Sequence, residues 1–129
     1  MDDQLIPDHI AQFIIEKIHS VAQLEALLLL RSSAAEQWTI QALASRLYIS
    51  EEQTAELLSY LCAQGIAACM EGQPPEYRYQ PSSAELREML DRVAEIYSKH
   101  LVPITNLIHS KPKARIQEFA DAFKLRKDF

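Results

Sequence analysis

Glycine is almost missing from this chain, with two residues in 129. Phosphate-cradling loops and dinucleotide fingerprints need several glycines within a short span. Nucleotide-dependent chemistry is therefore not expected, and most all-β architectures are disfavoured. Cysteine is equally scarce. Cys62 and Cys69 cannot build the disulfide framework of a small secreted domain. Long apolar runs are absent too, the longest being Ala26 to Leu30, whereas a bilayer-spanning helix needs about 20 residues. No basic segment followed by an apolar run and a cleavage site opens the chain, so no secretory signal is expected. The expectations are a cytoplasmic location and no membrane partner.

Catalytic and metal-binding patterns are lacking as well. His9, His19, His100 and His109 are scattered, and no Ser/His/Asp ordering or HExxH occurs. The two cysteines lie seven apart with no histidine nearby, unlike the closer Cys/His spacing of metal sites. Cys62 falls on the same helical stripe as Leu58 and Leu61 and reads as a core thiol. The sequence implies no enzyme, no cofactor and no metal.

What is present is a globular chain of one domain's length, 48% hydrophobic, enough to bury a core without staples. Its net charge of −5 is unevenly spread. Residues 1–98 hold six Lys/Arg against fifteen Asp/Glu, while residues 99–129 hold seven against three. An acidic body followed by a basic tail bears on partners rather than on fold.

Helical spacing begins at Asp8, with Ile10, Phe13, Ile14 and Ile18 on one face. Ser20 opens a second helix whose Val21, Leu24, Leu27, Leu28 and Leu30 face inward, and Ser32 and Ser33 close it. Trp38 and Thr39 suit a short strand. Ile40 to Tyr48 follows as a helix with a buried stripe of Leu43, Ala44 and Leu47, and Ile49 and Ser50 form a turn. Ser50-Glu51-Glu52-Gln53 has the form of a capping box, Leu57, Leu58 and Leu61 give the next helix its stripe, and Gly65 ends it. Ile66 starts a strand, and Tyr77-Arg78-Tyr79-Gln80 alternates as the second arm of a hairpin. Ser82-Ser83-Ala84-Glu85 reads as another capping box opening the longest helix. Leu86, Leu90, Val93, Tyr97 and His100 form a heptad seam along it. Pro103 should kink or break that helix and push Val102 out of helical geometry.

The run from Trp38 to Gln80 thus orders helix, turn, helix and two-stranded wing. It resembles the winged-helix domains of bacterial transcription regulators of the MarR and ArsR kind. The resemblance covers roughly residues 20–81 and implies a mainly α fold with a small β-hairpin, extra N- and C-terminal helices, and a homodimer. The organisation it suggests is a dimerising N-terminal helix in 1–19, the winged helix-turn-helix in 20–81, a dimerising helix in 82–110, and a basic amphipathic tail in 111–129. Tyr48 departs from the pattern, since such turns often carry glycine.

The function implied is transcription regulation through duplex DNA. Candidate DNA-binding residues are Arg46, Ser50, Gln53, Glu56, Ser59 and Arg78. The outward face of the second helix of the motif also carries Glu51, Glu52 and Ala55. Duplex DNA presents one negative charge per roughly 1.7 Å of axis, and affinity comes largely from cations that displace its counterions. Three glutamates on a reading helix oppose that approach, which keeps a second reading open: a protein-interaction adaptor without direct DNA binding. Candidate dimer-interface residues are Ile10, Phe13, Ile14, Leu86, Leu90, Val93 and Tyr97. In the tail, Ile116, Phe119 and Phe123 share one helical face among Lys111, Lys113, Arg115, Lys124, Arg126 and Lys127. That stripe suggests docking, on the chain itself or in another protein's groove.

Overall fold

The computed structural model describes residues 6–109. The helix α1 (Asp8–Lys17) leads into α2 (Val21–Ser32), β1 (Trp38–Thr39), α3 (Ile40–Leu47) and α4 (Glu51–Ala63). The hairpin β2 (Ala67–Met70) and β3 (Glu76–Tyr79) follows, then α5 (Ala84–Lys99). A last helix, α6, occupies 101–109. The sheet is antiparallel in the order β1-β3-β2, with Trp38 opposite Tyr77 and Cys69 opposite Tyr77 on the other side.

Local chemistry explains where these elements begin and end. Ser20 Oγ accepts from Gln23 N at 3.1 Å and starts α2. The indole Nε1 of Trp38 donates to Ser33 Oγ at 3.0 Å, so the cap of α2 also anchors β1. Gly65, at φ +75°, takes the left-handed turn that releases the chain from α4 into the wing. The N-cap of α5 is Ser83, which accepts from Leu86 N at 3.0 Å. The cap therefore lies one residue beyond the Ser82 start read from the sequence. Ser82 is engaged elsewhere, its amide donating to Gly65 O at 2.8 Å.

One core fills the molecule. Ile10 and Ile14 of α1, Leu24, Leu27 and Leu30 of α2, and Leu43 of α3 belong to it. So do Leu58 and Leu61 of α4, Tyr77 and Tyr79 of β3, Leu90 and Val93 of α5, and Ile104 and Ile108 of α6. Each fully buried aliphatic side chain contributes about 1.5–3 kcal/mol. Arg31 Nε meets Asp91 Oδ1 at 2.9 Å and ties α2 to α5 at the rim.

Two expectations are corrected here. The helix break falls at His100 (φ −133°), and not at Val102. Pro103 has no N–H to give the carbonyl of Lys99, four residues back, and its ring would crowd that carbonyl. Ending α5 at Lys99 removes the conflict, and Pro103 then sits in the first turn of α6, where the missing donor costs little. Ile104 N to His100 O, 3.3 Å, restarts the ladder. The second correction concerns the apolar seam. Ile10, Ile14, Leu90 and Val93 are buried in the chain's own core, because α1 packs against α5 within one molecule. They leave no surface for a second copy. Phe13, Leu86 and Tyr97 are half-buried against the same core. The tail residues Ile116, Phe119 and Phe123 lie outside the described residues. Within those residues, no helix is long and apolar enough to cross a membrane.

Candidate nucleic-acid interface

The helix-turn-helix is built by three short-range devices. Thr39 Oγ1 accepts from Ala42 N at 3.1 Å and starts α3. Tyr48 ends it in the left-handed conformation (φ 59°, ψ 41°), and Ile49 N closes back on Ala44 O at 3.2 Å. The turn thus takes the geometry usual for glycine even though a tyrosine supplies it. Ser50 then caps α4 in full reciprocal form: its Oγ accepts from Gln53 N at 3.0 Å, and Gln53 Oε1 accepts from Ser50 N at 3.3 Å. Thr54 is buried and donates its hydroxyl to Ser50 O at 2.8 Å.

With Leu57, Leu58 and Leu61 turned into the core, α4 exposes Glu51, Glu52, Gln53, Glu56 and Ser59, while Ala55 is half-buried. Ser50 and Gln53 are exposed but spend their polar atoms on each other. Glu52, Glu56 and Ser59 are the polar side chains left to meet a ligand along this face. Glu51 and Glu52 sit in the first turn, where carboxylates complement the helix dipole by about 0.3–1 kcal/mol. Arg46 is exposed on α3. Arg78 projects from β3, opposite Ala68, with its Nε donating to Gln80 Oε1 at 2.9 Å. The structure therefore joins Ser50, Gln53, Glu56 and Ser59 on one helix face, with Arg46 and Arg78 on the flanking helix and wing.

Two features of this region were not legible in the sequence. Tyr48 is 94% exposed, so a full phenol ring stands on the turn in front of α4. An open cavity of about 240 Å³ lies between the start of α2 and α4, lined by Ser20, Ala22, Gln23, Ile49, Gln53, Glu56 and Leu57. A bare Tyr in a tight turn was the only available hint of the first, and nothing in the sequence marks the second.

The cysteines have a different setting. Cys62 is half-buried on α4 and Cys69 exposed on β2, yet they are near enough for Cys69 to raise the Cys62 thiol, after burial as the larger cause. Burial also raises Tyr77, and a hydrogen bond with Cys69 adds to it. A thiol pushed up in this way holds little thiolate and reacts slowly. Among the described residues, no three of His, Cys, Asp or Glu gather as a metal site.

No protein-family model matches the chain, and no curated protein matches it. Solved structures do. A mutant of MarR from Escherichia coli matches with a TM-score of 0.53 at 14% identity, covering 98% of this chain and 86% of that one. BpsR of Bordetella bronchiseptica, whose DNA binding is regulated by 6-hydroxynicotinic acid, also matches at 0.53, with 16% identity over 98% and 80% of the two chains. A MarR-family transcriptional regulator from Silicibacter pomeroyi matches at 0.51, with 17% identity over 94% and 80%. At these identities the likeness concerns the fold: the chain has the winged-helix architecture of MarR-family regulators.

Proposed function

We propose that this chain is a transcription regulator that binds duplex DNA as a homodimer. The observation that carries the reading is the disposition of α4, buried along one face, free along the other, preceded by a capped turn and followed by a wing. A helix presented in this way enters the major groove while the neighbouring helix and wing meet the backbone. In this reading Glu56 and Ser59 face base edges, with the Glu56 carboxylate accepting from cytosine N4. Arg46 and Arg78 hold phosphates, and Ser50 and Gln53 fix the helix start rather than read sequence. Structural neighbours described as transcriptional regulators, and one described by its DNA binding, support the assignment.

The dimer surface then falls on apolar side chains that the core leaves out. Ile15 (37% exposed) on α1 and Leu101 (51%) and Val102 (63%) at the start of α6 are the candidates. A cationic supply of Arg46 and Arg78 from each of two protomers means about four phosphates neutralised, and hence a salt slope near −4 at about 0.9 per contact. Fluorescence anisotropy with labelled duplex DNA, titrated over a series of salt concentrations, tests both statements. Binding with a shallow slope supports the reading. Absence of binding to any duplex, including DNA flanking its own coding region, rejects it.

A further inference from the structure

We propose that the groove between α2 and α4 is a docking site for the chain's own residues 110–129. The groove has an apolar floor of Ala22, Ile49 and Leu57 and an acidic rim at Glu56. Glu52 lies one turn back on the same exposed face of α4, and the ring of Tyr48 stands uncovered beside the turn. An open concavity of about 240 Å³ between two helices is large for a surface that has nothing to receive. A cavity of about 150 Å³ already accommodates a benzene ring, so this one takes a phenyl side chain and its neighbours.

The complementary ligand is on the same chain. Residues 110–129 hold six Lys/Arg against three Asp/Glu, whereas residues 1–109 hold seven against fifteen. Ile116, Phe119 and Phe123 are spaced to lie along one face of a helix, with Lys113, Lys124 and Lys127 available to meet carboxylates. That chemistry pairs apolar with apolar and cation with acid, as a helix-in-groove contact requires. Reach is no obstacle. Twenty residues after His109 extend up to about 66 Å at 3.3 Å each, against a radius of gyration of about 13 Å for a domain this size. Docked there, the tail covers the face of α4 assigned above to DNA, and this regulatory consequence rests on the DNA-binding reading. The docking itself does not.

Zero-length carbodiimide crosslinking of the full chain, followed by peptide mapping, tests it directly and reads docking whether or not DNA binds. Mixing light and heavy isotope-labelled protein separates links within a chain from links between chains. The expected result is intrachain amide bonds from tail lysines to Glu56 and Glu52, unchanged on dilution. Phe119→Ala with Phe123→Ala should lower their yield about tenfold or more, since two ring contacts are lost. Should that double variant lose its native circular dichroism, Phe123→Ser alone carries the same comparison. Links that reach only other acids, links that form only between chains, or a yield unmoved by loss of the rings would each overturn the proposal.

Discussion

Gly65 and Ser82 lie in direct contact across the base of the wing. Ser82 N donates to Gly65 O at 2.8 Å, and a Cβ placed on Gly65 would sit 2.6 Å from Ser82 Oγ. Gly65 also holds φ +75°. Gly65→Ala therefore meets both a left-handed backbone and a clash, and should destabilise by about 1–3 kcal/mol. Combining it with Ser82→Gly should recover the steric share only. Urea midpoints at constant slope measure both effects.

The hydroxyl of Tyr79 is buried and finds no hydrogen-bond partner among the described residues. An unsatisfied buried hydroxyl costs about 1–3 kcal/mol. Tyr79→Phe keeps the ring in the core and removes the cost. Its melting temperature should equal or exceed that of the wild type; a clear fall would show that the hydroxyl is engaged in solution.

Alkaline pH should weaken the fold. Burial raises the pKa of Tyr60, Tyr77, Tyr79 and Tyr97 above the usual 10.0, and of Cys62 above its usual 9.0. Each group is neutral when protonated and favours the folded state in that form. The stabilisation is complete below the unfolded-state pKa and is lost as pH rises through the raised folded value. Denaturant midpoints should be flat from neutrality to about pH 9 and fall beyond it. Tyr79→Phe should fall less steeply, because the Tyr79 shift comes from burial first and then Asp91, opposed by Arg31 and Arg87.

Leu90 is buried at the packing of α5 on the chain's own core. Leu90→Glu loses that burial and strands a carboxylate in an apolar site, at least about 3 kcal/mol in all. The variant should unfold at every protein concentration. A folded monomer recovered by sedimentation would restore the sequence-based view of Leu90 as an interface residue.

If α4 meets DNA, its charges act in opposite directions. Arg78→Ala should weaken binding on all sequences and reduce the salt slope by about 1. Glu56→Gln should strengthen non-specific binding by removing repulsion, while relaxing any preference for cytosine. Anisotropy with two unrelated duplexes separates these effects. An Arg78→Ala variant that binds as the wild type does would remove the wing from the interface.

The sequence made the local architecture readable because local chemistry sets it. The Ser50–Gln53 cap, the Gly65 stop and the Trp38–Thr39 strand all lie where residue type and spacing place them. Periodicity reports that a side chain is buried, but not against what. For that reason the Leu90–Val93 seam read equally as interface or core. Pro103 announced a break without fixing its residue, since a proline is tolerated anywhere in a first helical turn and the end of α5 could slide to His100. Tyr48 was legible as a misfit in its turn, whereas its full exposure follows from tertiary packing that leaves the turn uncovered. The groove beside α4 has no sequence signature, because it is the space between two helices and belongs to neither.

The single core running from Ile10 to Ile108 leaves the reading helix without a cushion. Leu58 and Leu61, which hold α4 in place, share that core with Ile10 and Ile14 at one end of the chain and Ile104 and Ile108 at the other. A fragment cut to residues 20–81 would be a torn piece rather than a module, with leucine stripes of α2 bared to water. The chain should open as one cooperative unit in hydrogen exchange. Pressure applied at α1 or α6 has no hinge in which to dissipate, and it would reach the reading helix as a tilt of the whole body.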